Sequence, residues 1–320
     1  MALAIRVHEQ SLSPDQAALR DEALLGFAAS PKSMSPKFFY DHAGSQLFEL
    51  ICRQPEYYPT RTEETILRLA AANIAALAGR NVSLIELGSG ASRKIRLLLE
   101  ALRPARYLGI DISREFLHAS THRLAADYRW LDVHALCADF SQPLKLPAEA
   151  LGGQPLAFFP GSSIGNFDPE QARAFLRNLH QALPVGSGLL IGVDLVKDRA
   201  VLERAYNDEA GVTALFNLNL LERIRRELDS DIDQRRFQHR AFYNEAESRI
   251  EMHLVSPQAQ QVRIENRVFD FAAGESLHTE NSYKYTPASF RELAADCGFA
   301  SAAMWRDPAQ LFSVHFLRRE

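Results

Sequence analysis

The segment from Val82 to Leu102 constrains the fold more than any other part of this 320-residue chain. It begins with a mostly apolar run, 82–87, which is typical of a buried strand in a parallel sheet. The turn Gly88-Ser89-Gly90 follows, and glycine permits both a tight turn and a close approach of backbone to a ligand. An amphipathic helix comes next, with an apolar stripe formed by Ile95, Leu97, Leu98, Leu99 and Leu102. The segment therefore predicts the opening of a nucleotide-binding α/β unit.

A carboxylate stands where such a unit usually binds ribose. A second short strand, 107–111, ends in Asp111, about 20 residues beyond the turn. The dinucleotide pattern G-x-G-x-x-G is incomplete, because Arg93 occupies the third glycine position. S-adenosylmethionine (SAM) has no pyrophosphate and does not require that glycine. With Glu86 before the turn and Asp111 after it, the pattern favours SAM over a nicotinamide cofactor and over a purely structural turn.

Predicted strands and helices alternate from Val82 to about Asp194. Further strands are expected over 107–110, 133–138, 156–159 and 188–193. Helices are expected over 92–101, 114–128 and 169–183. This alternation is typical of a parallel sheet with helices on both faces, in which ligands bind beyond the carboxyl ends of the strands. Polar groups follow the strands at 88–90, at Asp111, at Asp139-Phe140 and at 160–166.

The end of the chain completes the predicted fold. A helix over 287–297 precedes two strands, 300–306 and 311–317, which form a terminal hairpin. A doubly wound sheet that finishes in an antiparallel hairpin is characteristic of class I methyltransferases. The fold class predicted is therefore α/β, with a Rossmann-like, mainly parallel sheet ending in an antiparallel hairpin.

The rest of the chain predicts a second, smaller α+β lobe. Residues 196–285 contain a long helical stretch, 199–227, and then short strands at 237–243, 249–255 and 261–269. Residues 1–60 show no strand alternation, a helix over 17–29, and aromatic residues in loops that suit packing or a wall over a ligand. We expect a SAM-binding domain over 61–195 plus 286–320, and a substrate-binding lobe over 1–60 plus 196–285.

Composition limits the partners and the compartment. A net charge of −4 gives no global reason to expect nucleic acid or an anionic membrane as a partner. The three cysteines, Cys52, Cys137 and Cys297, lack C-x-x-C spacing and suit reduced residues of a cytosolic protein. Charge interrupts the N-terminus too early for a signal peptide, and no apolar run approaches membrane-spanning length. We expect a cytoplasmic protein.

A competing motif predicts different chemistry. The segment from Gly161 to Gly165 fits G-x-S-x-G, the nucleophile elbow of α/β-hydrolases, and Asp307 and His315 follow in the order that a triad requires. The serine of such an elbow leads directly into a helix. Here residues 165–169 read as a turn in which Asp168 caps the next helix. A hydrolase with Ser163 as its nucleophile is therefore the less supported alternative.

Six segments together carry a resemblance to a known family. They are Lys37-Phe-Phe-Tyr-Asp41, Pro55-Glu-Tyr-Tyr-Pro-Thr-Arg-Thr-Glu63, Glu86-Leu-Gly-Ser-Gly-Ala-Ser-Arg-Lys94, Pro160-Gly-Ser-Ser-Ile-Gly-Asn166, Ala205-Tyr-Asn207 and Glu280-Asn-Ser-Tyr-Lys-Tyr285. Over nearly its whole length, the chain resembles the bacterial L-histidine N-α-methyltransferases of ergothioneine biosynthesis. The set is far more specific than any single segment.

The resemblance implies roles for individual residues. It implies a SAM site formed by Tyr40, Gly88, Lys94, Asp111, Asp139 and Phe140. Asp111 can accept hydrogen bonds from both ribose hydroxyls, and Asp139 can accept one from the adenine amino group. Lys94 suits the methionyl carboxylate, although without the family it would read as a solvated helix lysine.

The resemblance also implies a histidine site formed by Tyr58, Gly161, Asn166, Tyr206, Met252, Glu280 and Ser282. Asn166 and Tyr206 are the implied catalytic residues, as neutral donors to the substrate carboxylate, and Asn166 can also accept from the amine. Glu280 and Ser282 can form hydrogen bonds with the imidazole edge, and the Glu280 carboxylate can accept a charge-assisted hydrogen bond from it.

The implied reaction is methyl transfer from SAM to the α-amine of L-histidine, repeated until the trimethylated betaine, hercynine, forms. A related methyltransferase that acts on another amino acid or amine is the alternative. We expect a monomer that acts on a small molecule, and the sequence shows no metal-binding cluster.

Overall fold

The computed structural model describes residues 5–10, 16–90 and 93–320. Its strands are β1 (Arg6–Glu9), β2 (Lys32–Ser33), β3 (Val82–Leu87), β4 (Arg106–Asp111), β5 (Asp132–Cys137), β6 (Gln154–Phe159), β7 (Gly188–Asp194), β8 (Gln238–Asn244), β9 (Arg249–Val255), β10 (Gln260–Ile264), β11 (Arg267–Phe271), β12 (Ser276–Tyr283), β13 (Phe299–Arg306) and β14 (Phe312–Arg319). Its α-helices are α1 (Gln16–Ala28), α2 (His42–Ile51), α3 (Tyr58–Ala78), α4 (Ile95–Leu102), α5 (Arg114–Asp127), α6 (Pro169–Ala182), α7 (Arg199–Tyr206), α8 (Val212–Glu227) and α9 (Pro287–Ala295).

The chain divides into two compact units. Unit 1 comprises Met1–Ser13, Pro59–Val196 and Lys284–Glu320, and unit 2 comprises Pro14–Tyr58 and Lys197–Tyr283. The predicted domain boundaries differ from these units at the start of the chain, because β1 pairs with β5 in the sheet of unit 1. Residues 1–60 show no strand alternation, and β1 was therefore not predicted. Four residues are too short for an alternating pattern to stand out.

Unit 1 contains an eight-stranded sheet in the order β1-β5-β4-β3-β6-β7-β14-β13. The six strands from β1 to β7 in this order are parallel to their neighbours. Strand β14 is antiparallel to both β7 and β13. The predicted α/β fold, a mainly parallel sheet that ends in an antiparallel hairpin, is confirmed.

Helices cover both faces of this sheet, and the strand β6 shows how. Leu156 and Phe158 pack in a core cluster that includes residues of α3 and α4. Ala157 and Phe159 belong to a second cluster, which includes residues of α6 and α9. Because successive side chains of a strand point to opposite faces, a strand covered on both sides must be apolar along its whole length. This is why β6 and its neighbours read as continuous apolar runs.

Unit 2 contains a four-stranded sheet in the order β2-β12-β9-β8 and a separate β10-β11 hairpin. A β-bulge interrupts the pairing of β12 with β9: His278 pairs with His253 and Glu280 pairs with Met252, so Thr279 is the extra residue. The Thr279 hydroxyl lies 2.8 Å from Asn217 Oδ1 and 3.0 Å from the carbonyl oxygen of Met252. These contacts hold the bulge in place.

Two predicted elements of unit 2 were wrong. The helical stretch 199–227 is two helices, because Gly211 adopts φ +70° and the Asp208 carboxylate accepts the amides of Val212 and Thr213 to begin α8. The predicted strand 261–269 is the β10-β11 hairpin, whose turn includes Glu265 at φ +51°. Strand β12 was not predicted. No helix in the described part of the chain is long and apolar enough to cross a membrane.

Candidate active-site residues

The carboxyl ends of β3 and β4 bring the glycine turn and Asp111 together. The Gly90 amide donates to Asp111 Oδ2 at 2.9 Å, and the Ser113 amide donates to Oδ1, also at 2.9 Å. Gly88 and Gly90 have φ angles of +68° and +45°, which favour glycine. Burial raises the pKa of Asp111, while the amides of Ser113 and Gly90 oppose that rise. The carboxylate has about four acceptor positions, so it keeps capacity for hydroxyl donors.

Asp139 and Phe140 follow β5, the neighbour of β4 in the sheet. The Asp139 carboxylate accepts the amide of Ser141 at 2.9 Å and its hydroxyl at 2.5 Å. The Phe140 ring packs edge-on against Phe159 and other aromatic rings, and a Cβ added at Gly88 would lie 3.6 Å from it. The structure therefore brings together Gly88, Asp111, Asp139 and Phe140 at one edge of the sheet.

Lys94 is paired with a carboxylate that the sequence analysis did not single out. Its ammonium lies 2.5 Å from Glu63 Oε2, the Lys94 side chain is only 14% exposed, and the Glu63 side chain is fully buried. The same oxygen of Glu63 accepts the Gly161 amide at 2.8 Å. The interpretation of Lys94 as a solvated helix lysine was therefore wrong. Glu63 ends one of the quoted segments, but only the fold reveals its partners.

Glu63 links three parts of unit 1. It lies on α3, Lys94 directly precedes α4, and Gly161 follows β6 with φ +77°. Asn166 closes a short 3₁₀ turn, Ser163–Asn166, in the same loop, and its side chain is half-buried. A carboxylate shared by an ammonium and a backbone amide fixes the separation of the two loops.

The three residues of the hydrolase alternative do not form a hydrogen-bonded catalytic triad. The Ser163 hydroxyl donates to the Pro160 carbonyl at 3.0 Å, and a 3₁₀ turn rather than an α-helix follows it. His315 is fully buried with its Nε2 3.0 Å from the Ser313 hydroxyl, and Asp307 accepts backbone amides of its own turn. No hydrogen bond joins Ser163, His315 and Asp307 within residues 93–320, where all three lie.

The carboxyl group of Glu86 has a raised pKa. It is buried inside β3, and the Tyr107 hydroxyl donates to its Oε2 at 2.6 Å. Burial raises the pKa of Glu86 from its usual 4.5 to about 8, although the Tyr107 bond opposes the rise. The folded protein therefore holds a proton on Glu86 that the unfolded chain releases near pH 4.5.

This difference predicts a pH effect on stability. The Glu86 contribution is fully present below pH 4.5 and is lost as the pH rises toward 8, at about 1.4 kcal/mol per pH unit. Glu86→Gln, which cannot ionise, should therefore gain stability relative to the unmodified chain between pH 5 and pH 8. Urea unfolding of both proteins at several pH values measures the difference. A constant difference would show that Glu86 is ionised throughout.

Tyr206, Ser282 and Glu280 form the polar part of the candidate site in unit 2. The Tyr206 hydroxyl donates to Ser282 Oγ at 2.7 Å. Glu280 is 8% exposed, and its carboxylate is among the charges that act on the buried Tyr57. Met252 lies opposite Glu280 in the β9-β12 pairing, so their side chains share one face of the sheet.

Aromatic residues complete this part of unit 2. Lys197 donates to the Tyr58 hydroxyl at 2.7 Å, with its ammonium 4.6 Å from the centre of the Tyr58 ring. The Tyr40 ring packs edge-on against Phe48 and Phe216. Of the predicted cofactor residues, Tyr40 belongs to unit 2 and the other five belong to unit 1. Among the predicted substrate residues, Gly161 and Asn166 belong to unit 1.

Comparisons with known proteins extend these observations. The chain is 44% identical, over 312 residues, to a histidine N-α-methyltransferase from Mycolicibacterium smegmatis, which covers 95% of this chain and 96% of that protein. It is 37% identical over 196 residues to Ergothioneine biosynthesis protein 1 from Neurospora crassa, covering 59% of this chain and 22% of that protein.

Two further comparisons concern structure and family. The solved structure of the CcbJ methyltransferase from Streptomyces caelestis superposes with a TM-score of 0.47 and 16% identity, covering 79% of this chain and 95% of that one. Residues 19–319 match the sequence profile of a family described as histidine-specific methyltransferase, SAM-dependent.

Proposed function

Because the chain belongs to the family of SAM-dependent, histidine-specific methyltransferases, we propose that it methylates the α-amino group of L-histidine three times, which yields hercynine. The observation that carries this proposal is the 44% identity, over 95% of the chain, to an enzyme named for histidine N-α-methylation. The protein is a SAM-dependent methyltransferase, and the likeness to an ergothioneine biosynthesis protein supports a role in that pathway.

The residues of unit 1 fit the cofactor. Bound SAM supplies an electrophilic methyl group on a sulfonium. In our proposal Asp111 accepts the ribose hydroxyls, Asp139 accepts the adenine amino group, and Phe140 packs near the glycine turn. Lys94 is already neutralised by Glu63, so it would serve the methionyl carboxylate as an oriented hydrogen-bond donor rather than as an unpaired charge.

Glu280 and Ser282 fit an imidazole in unit 2. A buried carboxylate favours a ligand with N–H donors, and imidazole has one donor when neutral and two when protonated. The Tyr206 hydroxyl donates to Ser282, and a phenol oxygen is also a hydrogen-bond acceptor. We propose that Tyr206 accepts a hydrogen bond from the substrate amine, a change from the carboxylate donor that the sequence suggested.

The reaction further requires that the substrate amine be held close to the methyl group and that water be excluded from the site. An in-line displacement needs the amine as a free base, held close to the methyl group, and it needs no strong protein base. Positive charge leaves the sulfonium during the transfer, so exclusion of water favours the reaction. In our proposal the Asn166 side chain orients the substrate with two hydrogen bonds. Its NH₂ group donates to the substrate carboxylate, and its oxygen accepts from the substrate amine.

Mass spectrometry of the purified protein with SAM and a panel of amino acids tests the proposed reaction. We expect mass increases that correspond to one, two and finally three methyl groups on L-histidine, and none on amino acids with apolar side chains. Methylation of another amino acid or amine with histidine left unchanged would contradict the substrate. Accumulation of the monomethylated product alone would contradict trimethylation.

The cofactor assignment has its own test at Asp111. Asp111→Ala should weaken SAM binding by about 1.5–3 kcal/mol, the range for hydrogen bonds to charged groups. Asp111→Asn, which keeps one acceptor for the Gly90 or Ser113 amide, should lose less. Asp127→Ala, at an exposed aspartate of α5, serves as the control. Unchanged affinity of Asp111→Ala in calorimetry, or tight binding of NADH, would contradict the assignment.

We further propose that the protein works as a cytoplasmic monomer without nucleic-acid or membrane partners. The net charge of −4 and the three free cysteines support this proposal. Sedimentation of the purified protein tests the oligomeric state, since a dimer would double the apparent mass.

A further inference from the structure

Three side chains of unit 2 converge in a way that the proposed methyl transfer does not use. Glu251 and His253 from β9 and His278 from β12 each contribute one possible ligand atom, and these atoms lie within 4.8 Å of one another. His253 and His278 are cross-strand partners whose stacked rings have centroids 4.6 Å apart. We propose that these three residues bind a divalent transition-metal ion of the zinc class. Residue spacing does not reveal this cluster, because its ligands lie on two strands, β9 and β12, that are not consecutive in the chain.

The spacing of the first two ligands fits one shared ion. His253 Nε2 lies 3.1 Å from Glu251 Oε2. Two ligand atoms that each lie about 2.0–2.1 Å from a tetrahedral zinc ion are about 3.3 Å apart. The other ring nitrogen of His253 lies 3.0 Å from the Ser276 hydroxyl, which can both donate and accept. The ring can therefore move its proton to Nδ1 and present the Nε2 lone pair to the ion.

The third ligand is held in the required tautomer. His278 Nε2 lies 3.1 Å from the carbonyl oxygen of Glu280, which can only accept, so Nε2 carries the proton and Nδ1 carries the lone pair. The second oxygen of Glu251 accepts from Asn244 at 2.9 Å and from Arg249 at 2.8 Å. Each ligand is thus oriented through its other polar atom, as metal ligands in proteins usually are.

Binding requires a local adjustment. The rings of His253 and His278 are nearly parallel, with an interplanar angle of 11°, and an ion must lie close to the plane of each imidazole that binds it. The rings must tilt out of their stack, which is a side-chain rotation within one face of the sheet. Arg249 beside Glu251 lowers the attraction of that carboxylate for a cation, and the two neutral imidazoles supply the other two ligand atoms. A water molecule would complete four-coordination, as in other His₂Glu sites.

The site is separate from the proposed substrate residues. His278 and Glu280 pair with adjacent residues of β9, so the bulge directs their side chains to opposite faces of the sheet. Metal binding can therefore be measured without reference to catalysis, and its outcome does not depend on the proposed methyl transfer.

The test uses the full chain without an affinity tag, after treatment with a chelator. Calorimetric titration with zinc chloride should show one ion per chain, and Co²⁺ should give the visible absorption of a four-coordinate site. His253→Ala and His278→Ala should each weaken zinc binding by at least about 100-fold. Ser276→Ala, which removes only the support of His253, should weaken it by about 10- to 100-fold.

Two controls separate a specific site from surface binding and from misfolding. His42→Ala removes an exposed histidine of unit 2 and should bind zinc as the unmodified chain does. Glu251→Gln keeps the shape of the side chain and should still lose affinity, which keeps the test valid if a histidine variant does not fold. The proposal is overturned if the unmodified chain binds no zinc, or if folded His253→Ala, His278→Ala or Glu251→Gln binds it with unchanged affinity.

Discussion

Glu280→Val is expected to lower kcat/KM for histidine by about 10- to 150-fold, the kinetic equivalent of losing a hydrogen bond to a charged group. Glu280 is 8% exposed, so placing a ligand without an N–H donor against its carboxylate costs free energy. Valine removes that penalty. We therefore expect the variant to gain activity toward aromatic amino acids such as tryptophan. Steady-state kinetics with both substrates measures the change.

Two matched variants define what a change at Glu280 means. Glu280→Gln keeps an acceptor without the charge and should lie between the unmodified chain and Glu280→Val. Glu247→Val removes an exposed carboxylate from the β8-β9 turn and should leave both substrates unaffected. If Glu280→Val kept the preference for histidine, Glu280 would not face the imidazole, and specificity would have to come from residues such as Tyr58 and Met252.

Lys94→Met is expected to lower the free energy of unfolding by about 3–5 kcal/mol, because it leaves the buried Glu63 carboxylate without its cation. The loss should appear without any cofactor present, and it therefore tests the ion pair rather than cofactor binding. The double variant Glu63→Gln, Lys94→Met removes both charges and should recover much of the loss. Urea unfolding of the unmodified chain, of each single variant and of the double variant gives the coupling energy.

The control for the Lys94–Glu63 ion pair is an exposed ion pair in the same unit. Arg96 and Asp127 lie 2.7 Å apart with side chains 37% and 53% exposed, so Arg96→Met should cost less than about 1 kcal/mol. Equal losses for Lys94→Met and Arg96→Met would mean that water screens the Glu63 pair as well.

The sequence predicted what local patterns encode. The glycine turn and Asp111 were identified because strand, turn and acid follow one another within a short distance, and the structure joins them through the Gly90 amide. The parallel sheet was predictable because strands buried on both faces are continuously apolar. Patterns of this kind need no knowledge of distant residues.

What the sequence did not reveal depends on contacts between distant segments. Glu63 reads as an ordinary helix residue until α3 brings it to Lys94 and Gly161. Strand β12 was missed because its polar residues, including Glu280 and Ser282, obscure the alternation of a half-buried strand. The break before α8 was missed because a long polar helix and two helices joined by Asp208 and Gly211 have nearly the same composition.

The β-bulge at Thr279 limits which changes to β12 can alter substrate choice without misplacing Glu280 and Ser282. Side chains alternate along a strand, so deleting this single extra residue would shift the phase of β12 and turn Glu280 and Ser282 toward the side that now bears His253. Substitutions at positions 280 and 282 leave each side chain of β12 on its present face of the sheet. One-residue insertions or deletions between 278 and 280 would move the side chains that follow to the opposite face. Natural variants are therefore expected to differ here in residue identity and not in length.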